Sequence, residues 1–173
     1  MCKFRDLRAD EIDIRVGTVN EKGVTLLLYK DARVDMDILD ETVGSGNWQR
    51  THEVINGNLF CNVGIKLDGE WIYKQDVGVE SYTEKEKGQA SDSFKRACVN
   101  WGIGRELYTA PFIWIKAGDV NIIKGKDGKP TTRDKFFVEK ISIKDKKIMG
   151  IAIRNKNVLE NKEPKRVYVY TAG

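Results

Sequence analysis

The chain has 173 residues, 40% hydrophobic and 32% charged, with 30 Lys+Arg against 26 Asp+Glu and a formal net charge of +4. That is an ordinary soluble composition, long enough for one compact unit with a real core. No apolar run approaches the ~20 residues that span a bilayer, so no membrane partner is expected. The charge is uneven: residues 1–115 hold 15 Lys+Arg and 19 Asp+Glu, whereas residues 116–173 hold 15 and 7. A basic portion after a slightly acidic one points either to a polyanionic partner or to a solvated lysine-rich surface.

Met1 to Asp13 alternates charges with isolated apolar residues and has no apolar core of a secretory signal. Three scattered cysteines, Cys2, Cys61 and Cys98, have no CxxC spacing and suit a reducing cytoplasm better than a disulfide framework. His52 is the only histidine and no close ligand pair exists, which argues against zinc.

In chain order, Ile12, Ile14 and Val16 alternate with charged residues, Asn20 to Gly23 is a turn, and Val24 to Tyr29 is β-prone; together they predict a strand pair. A helix follows over Ala32–Val43, capped by Asp31 and stopped by Gly44. Its acids Asp35, Asp37, Asp40 and Glu41 are spread around the cylinder, as on a solvated face. Trp48 to Asp76 predicts an antiparallel meander, with strands at 48–55, 58–67 and 70–77 and turns at Asn56-Gly57 and Asp68-Gly69. In its middle strand Leu59, Cys61, Val63, Ile65 and Leu67 share an apolar face, while Phe60, Asn62, Gly64 and Lys66 share a polar one.

Thr83 to Trp101 is the best helical pattern. Thr83 and Glu86 form a capping box, Ala90, Phe94, Ala97/Cys98 and Trp101 an apolar stripe, and Gly102 a stop. The stripe is expected to dock on the apolar face of the meander. Beyond Pro111, Phe112–Ile115 reads as a short strand and 118–132 as an exposed loop; 136–143 and 147–154 read as a hairpin, and the tail from Asn155 is basic and weakly patterned. The fold class is α+β: a β-β-β-α core packed on a long central helix, with an N-terminal strand pair and helix and a C-terminal hairpin.

No catalytic constellation emerges. His52 lacks a Ser or Cys partner, and there is no GxxxxGK[ST] loop. Gly102-Ile103-Gly104 is too short for a dinucleotide fingerprint and follows a helix. Toward nucleic acid, Lys95 and Arg96 are adjacent on the central helix, and Lys87, Ser91 and Lys95 recur at i, i+4, i+8, an arrangement able to grip phosphates or simply to face solvent. Trp48, Trp71, Tyr73, Tyr82 and Trp101 are candidates for base stacking, with Trp101 expected in the core; Trp71 and Tyr73 share a strand face that is core, subunit interface or groove wall.

Two stretches resemble the Rad-fifty-two/Rad-twenty-two family of single-strand annealing proteins, above all its phage-encoded branch. One is Tyr29-Lys-Asp-Ala-Arg33-Val with Gly44-Ser-Gly-Asn-Trp48-Gln-Arg50. The other is Asp76-Val-Gly, Glu84-Lys-Glu-Lys-Gly-Gln-Ala-Ser-Asp92-Ser-Phe-Lys95-Arg96-Ala and Trp101-Gly. The resemblance covers about half the chain and leaves 1–20 and 120–173 unanchored. It implies a homo-oligomer, ring or helical arc, with single-stranded DNA in a basic groove, backbone inward and bases outward to meet a complementary strand. Neither ATP nor a metal cofactor is implied.

Lys95 and Arg96 match the family's basic pair and Arg33 its basic residue on the preceding helix; Lys66 and Lys74 lie on strands where the family presents groove cations. Val99 stands where eukaryotic members have another arginine, with Arg105 a substitute just beyond. The expected DNA-binding set is thus Arg33, Arg50, Lys66, Lys74, Lys87, Lys95, Arg96 and Arg105. Residues 1–115 are expected to form the annealing core and 116–173 a basic extension of the same domain. That extension would serve as a second DNA site, a platform for a single-strand binding protein or a solubilising tail. The expected location is a cytoplasm, that of a bacterial host in a phage setting. A monomeric single-strand DNA or RNA coat protein and a metal-dependent nuclease are the competing readings.

Overall fold

The computed structural model describes residues 3–80, 85–156 and 163–173. In chain order the elements are β1 (Asp13–Asn20), β2 (Gly23–Tyr29), α1 (Ala32–Val43), β3 (Trp48–Ile55), β4 (Asn58–Leu67), β5 (Glu70–Val77), α2 (Lys85–Trp101), β6 (Ile113–Lys116), the two-residue pair β7 (Ile123–Lys124) and β8 (Pro130–Thr131), then β9 (Lys135–Lys144), β10 (Lys147–Lys156) and β11 (Lys165–Thr171). The protein is α+β, and its paired strands are all antiparallel.

The chain divides into two compact units. Residues 1–6 and 31–105 form one; residues 7–30 and 106–173 form the other. The strand pair β1–β2 therefore groups with the C-terminal strands, although it precedes the meander in sequence.

The first unit is the sheet β3-β4-β5 with α1 and α2. Its register follows from two tight turns: Asn56 and Gly57 (φ 51 and 78) and Asp68 and Gly69 (φ 50 and 90) are left-handed at both central positions, as the two-residue hairpin requires. Cys61, Val63 and Ile65 of β4, Phe94, Ala97 and Cys98 of α2, and Ile38 and Leu39 of α1 are all fully buried, so the apolar stripe docks on the apolar strand face as expected. Asp31 caps α1 by accepting from Arg33 N at 2.8 Å. The capping box expected at Thr83 lies outside the described residues.

The second unit holds two three-stranded sheets, β1-β2-β6 and β9-β10-β11. A bulge in β1 between Val16 and Val19 places Gly17 and Thr18 opposite Thr25 alone. The expected loop 118–132 carries the β7–β8 pair, and the tail read as weakly patterned contains β11, hydrogen-bonded along β10. Alternation in β11 is obscured because the strand opens on two adjacent exposed cations, Lys165 and Arg166, and its register along β10 shifts beside them. The charge of Arg166 is bound across the sheet: it donates twice to Glu139 of β9 (both 2.7 Å), and Arg154 of β10 donates to the same carboxylate at 3.1 Å.

Hydrogen bonds from Arg166 and then Arg154 hold the Glu139 carboxyl at about 2, down from about 4.5. A carboxyl lowered in the folded state stabilises fully above its unfolded value and loses that contribution as pH falls toward the folded one. Acid is therefore expected to weaken this unit between pH 4.5 and 2. Glu139→Gln should lower the melting temperature at pH 7 and narrow the difference between pH 7 and pH 3. An unchanged difference would remove Glu139 from the acid response.

Candidate nucleic-acid interface

Directly opposed residues of an antiparallel sheet share a face. Arg50 of β3 and Lys74 of β5 both pair with Val63 of β4, so the three form one cross-strand row on the face that α2 covers. The two cations straddle the helix. On the β3 side the Arg50 guanidinium lies 4.5 Å above the Phe94 ring centroid, Trp48 stacks on Phe94 at 6.1 Å, and His52 Nε2 donates to Ala90 O at 3.2 Å. On the β5 side Lys74 donates to Asn100 O at 2.9 Å and lies 4.6 Å above the Trp101 ring. Arg96 reaches the same strand, with Nε 3.5 Å from Asp76 Oδ1.

Arg105 completes this group. Gly102 N and Ile103 N close the end of α2 onto Val99 O and Cys98 O, turning the chain so that Arg105 donates back to Val99 O (3.3 and 3.0 Å) and Asn100 O (3.4 Å). Lys74 and Arg105 thus sit on the negative end of the helix dipole. Both remain exposed, and Lys has three donors and Arg five, so each keeps donors for an anion beyond the carbonyls it already holds.

The other expected residues are placed as follows. Lys95 is half-buried on α2, about 100° around the helix from Arg96. Lys87 is exposed two turns earlier on the Lys95 side. Arg33 projects from the start of α1, its side chain 84% exposed and 3.3 Å from Asp31. Lys66 pairs with Trp71 in the register and lies on the sheet face away from α2. The structure thus gathers Arg50, Lys74, Arg96 and Arg105 around one helix and sets Lys66 apart from them. The turn at Asp68-Gly69 already implies that separation: once Leu67 faces Glu70, Lys74 must face Val63 and Lys66 must face Trp71.

Several side chains have structural roles that the residue pattern alone did not reveal. Trp48 Nε1 donates to Asp40 at 2.6 Å and Trp101 Nε1 to Val63 O at 3.0 Å. Trp101 is half-buried, a lid on the core edge as much as part of it. The expectation of a solvated acidic face on α1 is corrected at one position: Asp35 is fully buried, because its place on the cylinder falls between Ile38 and Leu39. Asp40 is taken by Trp48, Glu41 accepts from Arg5 at 2.6 and 3.2 Å, and Asp37 is exposed. Among the described residues no group of three or more His, Cys, Asp or Glu could hold a metal ion. Burial pushes the Cys61 thiol up to about 11 against the smaller pull of Arg50, so it stays protonated near neutral pH. Of the aromatic candidates, Trp71 and Tyr73 stay on the open sheet face, and Tyr82 lies outside the described residues. Among the described residues no helix is long and apolar enough to cross a membrane.

No protein-family profile matches the chain, and no solved structure does. Two curated proteins are similar to it. One is the single-stranded DNA-binding protein DdrA of Deinococcus radiodurans, 36% identical over 96 residues that cover 54% of this chain and 46% of that protein. The other is the protein of the same name from Deinococcus deserti, 33% identical over 104 residues that cover 59% of this chain and 51% of that one. The chain spans about half the length of the curated relatives it matches.

Proposed function

We propose that this chain binds single-stranded DNA along its phosphate backbone, using the cations around α2, and that its oligomer brings complementary strands together without ATP or covalent chemistry. The observation that carries the reading is the row Arg50–Val63–Lys74, which sets one cation on each side of α2, with Arg96 and Arg105 on the β5 side and beyond its end. Guanidinium and ammonium groups anchored by a ring or a carbonyl are held in place while spare donors face solvent, an arrangement suited to successive phosphates. Lys95, Lys87 and Arg33 would extend the basic track. The two Deinococcus relatives, named for binding single-stranded DNA, support the ligand.

Annealing, a ring or helical arc, and a place in cytoplasmic DNA repair by recombination rest on the resemblance to the Rad-fifty-two family. A phage setting draws no support from two bacterial relatives. The second reading is a monomeric coat protein, favoured by the fact that those relatives are named for binding and not for annealing.

Light scattering with and without an unstructured oligonucleotide, run beside an annealing assay without nucleotide, separates the two. The proposed function expects a discrete oligomer, faster annealing than in buffer, and a log–log salt slope between about −3 and −5, about 0.7 for each phosphate met by the four cations around α2 and by Lys95, Lys87 and Arg33. A strict monomer that binds but never speeds annealing would leave the coat-protein reading. Affinity indifferent to salt would remove the phosphate track altogether.

A further inference from the structure

The face of the meander opposite α2 is open. It carries Gln49, Thr51 and Glu53 of β3, Phe60, Asn62, Gly64 and Lys66 of β4, and Trp71, Tyr73 and Gln75 of β5. Its two large rings are unusual for a solvent-facing surface: Trp71 is 38% and Tyr73 48% exposed, and they stack on each other at 6.4 Å with 28° between their planes.

Tyr73 does not stand up from the sheet. Its cross-strand partner is Gly64, and a Cβ added there would overlap the Tyr73 ring, so the ring lies across a strand backbone that only glycine leaves bare. Gln49 Nε2 donates to Tyr73 Oη at 2.6 Å and fixes its orientation. The result is a pair of neighbouring rings, Tyr73 backed by the sheet at Gly64 and both partly exposed to solvent. Lys66 is the cross-strand partner of Trp71, placing a cation beside the rings. The carboxylate on this face, Glu53, is at the far end opposite Phe60 and accepts from Asn62 Nδ2 at 2.8 Å.

We propose that Trp71 and Tyr73 form a base-stacking platform for single-stranded DNA on the meander face opposite α2, with Lys66 meeting the adjoining phosphate. This deepens the proposed function and rests on its choice of ligand. Every base has a π-face, so a rigid pair of rings holds a strand without reading its sequence. The rival occupant is a second copy of this chain. Stable self-association needs about 800 Å² per partner with an apolar centre, whereas these rings are bordered by Gln49, Thr51, Asn62, Gln75 and Lys66. That border suits a polyanion with aromatic bases better than a copy of itself.

The test compares full-length protein with Trp71→Ala/Tyr73→Ala, each titrated with a thymidine oligonucleotide and with an abasic phosphodiester chain of equal length. Wild-type protein should prefer the base-bearing strand, and the double variant should lose about 5- to 100-fold of that preference per ring. Its salt slope and its affinity for the abasic chain should stay unchanged. Trp71→Phe should keep most of the preference. Ultraviolet cross-linking of the oligonucleotide to wild-type protein, which needs no variant to fold, should map to Glu70–Val77.

An unchanged preference in the variant, or cross-links confined to other peptides, would overturn the platform while leaving phosphate binding intact. A change of oligomeric state without loss of preference would assign the face to self-association and overturn it too. If wild-type protein bound neither chain, platform and phosphate track would fall together.

Discussion

The Lys95→Ala/Arg96→Ala variant is expected to bind single-stranded DNA roughly 10- to 100-fold more weakly than the wild type, at about 1 kcal/mol for each lost solvent-exposed phosphate contact. Its log–log salt slope should become shallower by about 1.4, two phosphates at 0.7 each. The fold should survive. Lys95 is half-buried on the helix, and Asp76, the partner Arg96 would leave, still accepts from Val77 N at 2.8 Å and Asn100 Nδ2 at 3.4 Å. A charge-conserving Lys95→Arg/Arg96→Lys pair should keep the wild-type slope, which a purely structural role for these residues would not predict. Asp76→Asn adds an opposite-sign control: it releases Arg96 from its 3.5 Å ion pair and should strengthen binding. Wild-type affinity and slope in the double variant would move the DNA track away from this helix.

The largest effect on the protein itself is expected at Phe94. Its ring is fully buried, stacked under Trp48 and covered by the Arg50 guanidinium. Phe94→Ala should cost about 3–5 kcal/mol, lost burial plus the cavity left behind. Against a total stability of about 5–15 kcal/mol that is a large fraction, enough to shift the denaturant midpoint well down or to abolish folding. Phe94→Leu, close in volume, should cost under about 1.5 kcal/mol. Urea unfolding followed by far-UV circular dichroism measures both. The Ala variant, where it folds, should also bind DNA more weakly, because Arg50 loses the ring that positions it. A cost below 1 kcal/mol would mean that α2 is held on the meander by contacts other than this stack.

Much of the meander was legible beforehand for a local reason. Asn-Gly and Asp-Gly impose their turn with little help from the rest of the chain, and a two-residue turn leaves one strand register. The strand bounds 48–55, 58–67 and 70–77 and the helix Ala32–Val43 therefore agree with the structure. The same registry already separates Lys66 from Lys74, although reading both as one groove ignored it. β11 was not legible, because its strand character depends on a neighbour: Arg166 belongs in a strand only where Glu139, 27 residues earlier, stands across the sheet to bind it. Asp35 was misread because helical spacing places a residue around the cylinder without saying how far the core wraps around it.

Composition, periodicity and turn chemistry determined that this is an α+β protein with a three-stranded meander and an amphipathic helix, because those signals act over a few residues. Only the tertiary structure decided that β2 pairs with β6 some ninety residues later, that Arg50 and Lys74 straddle α2, and that Tyr73 lies flat over Gly64. Each of these joins segments that carry no mark of one another in sequence and meet only when burial of apolar surface brings them together.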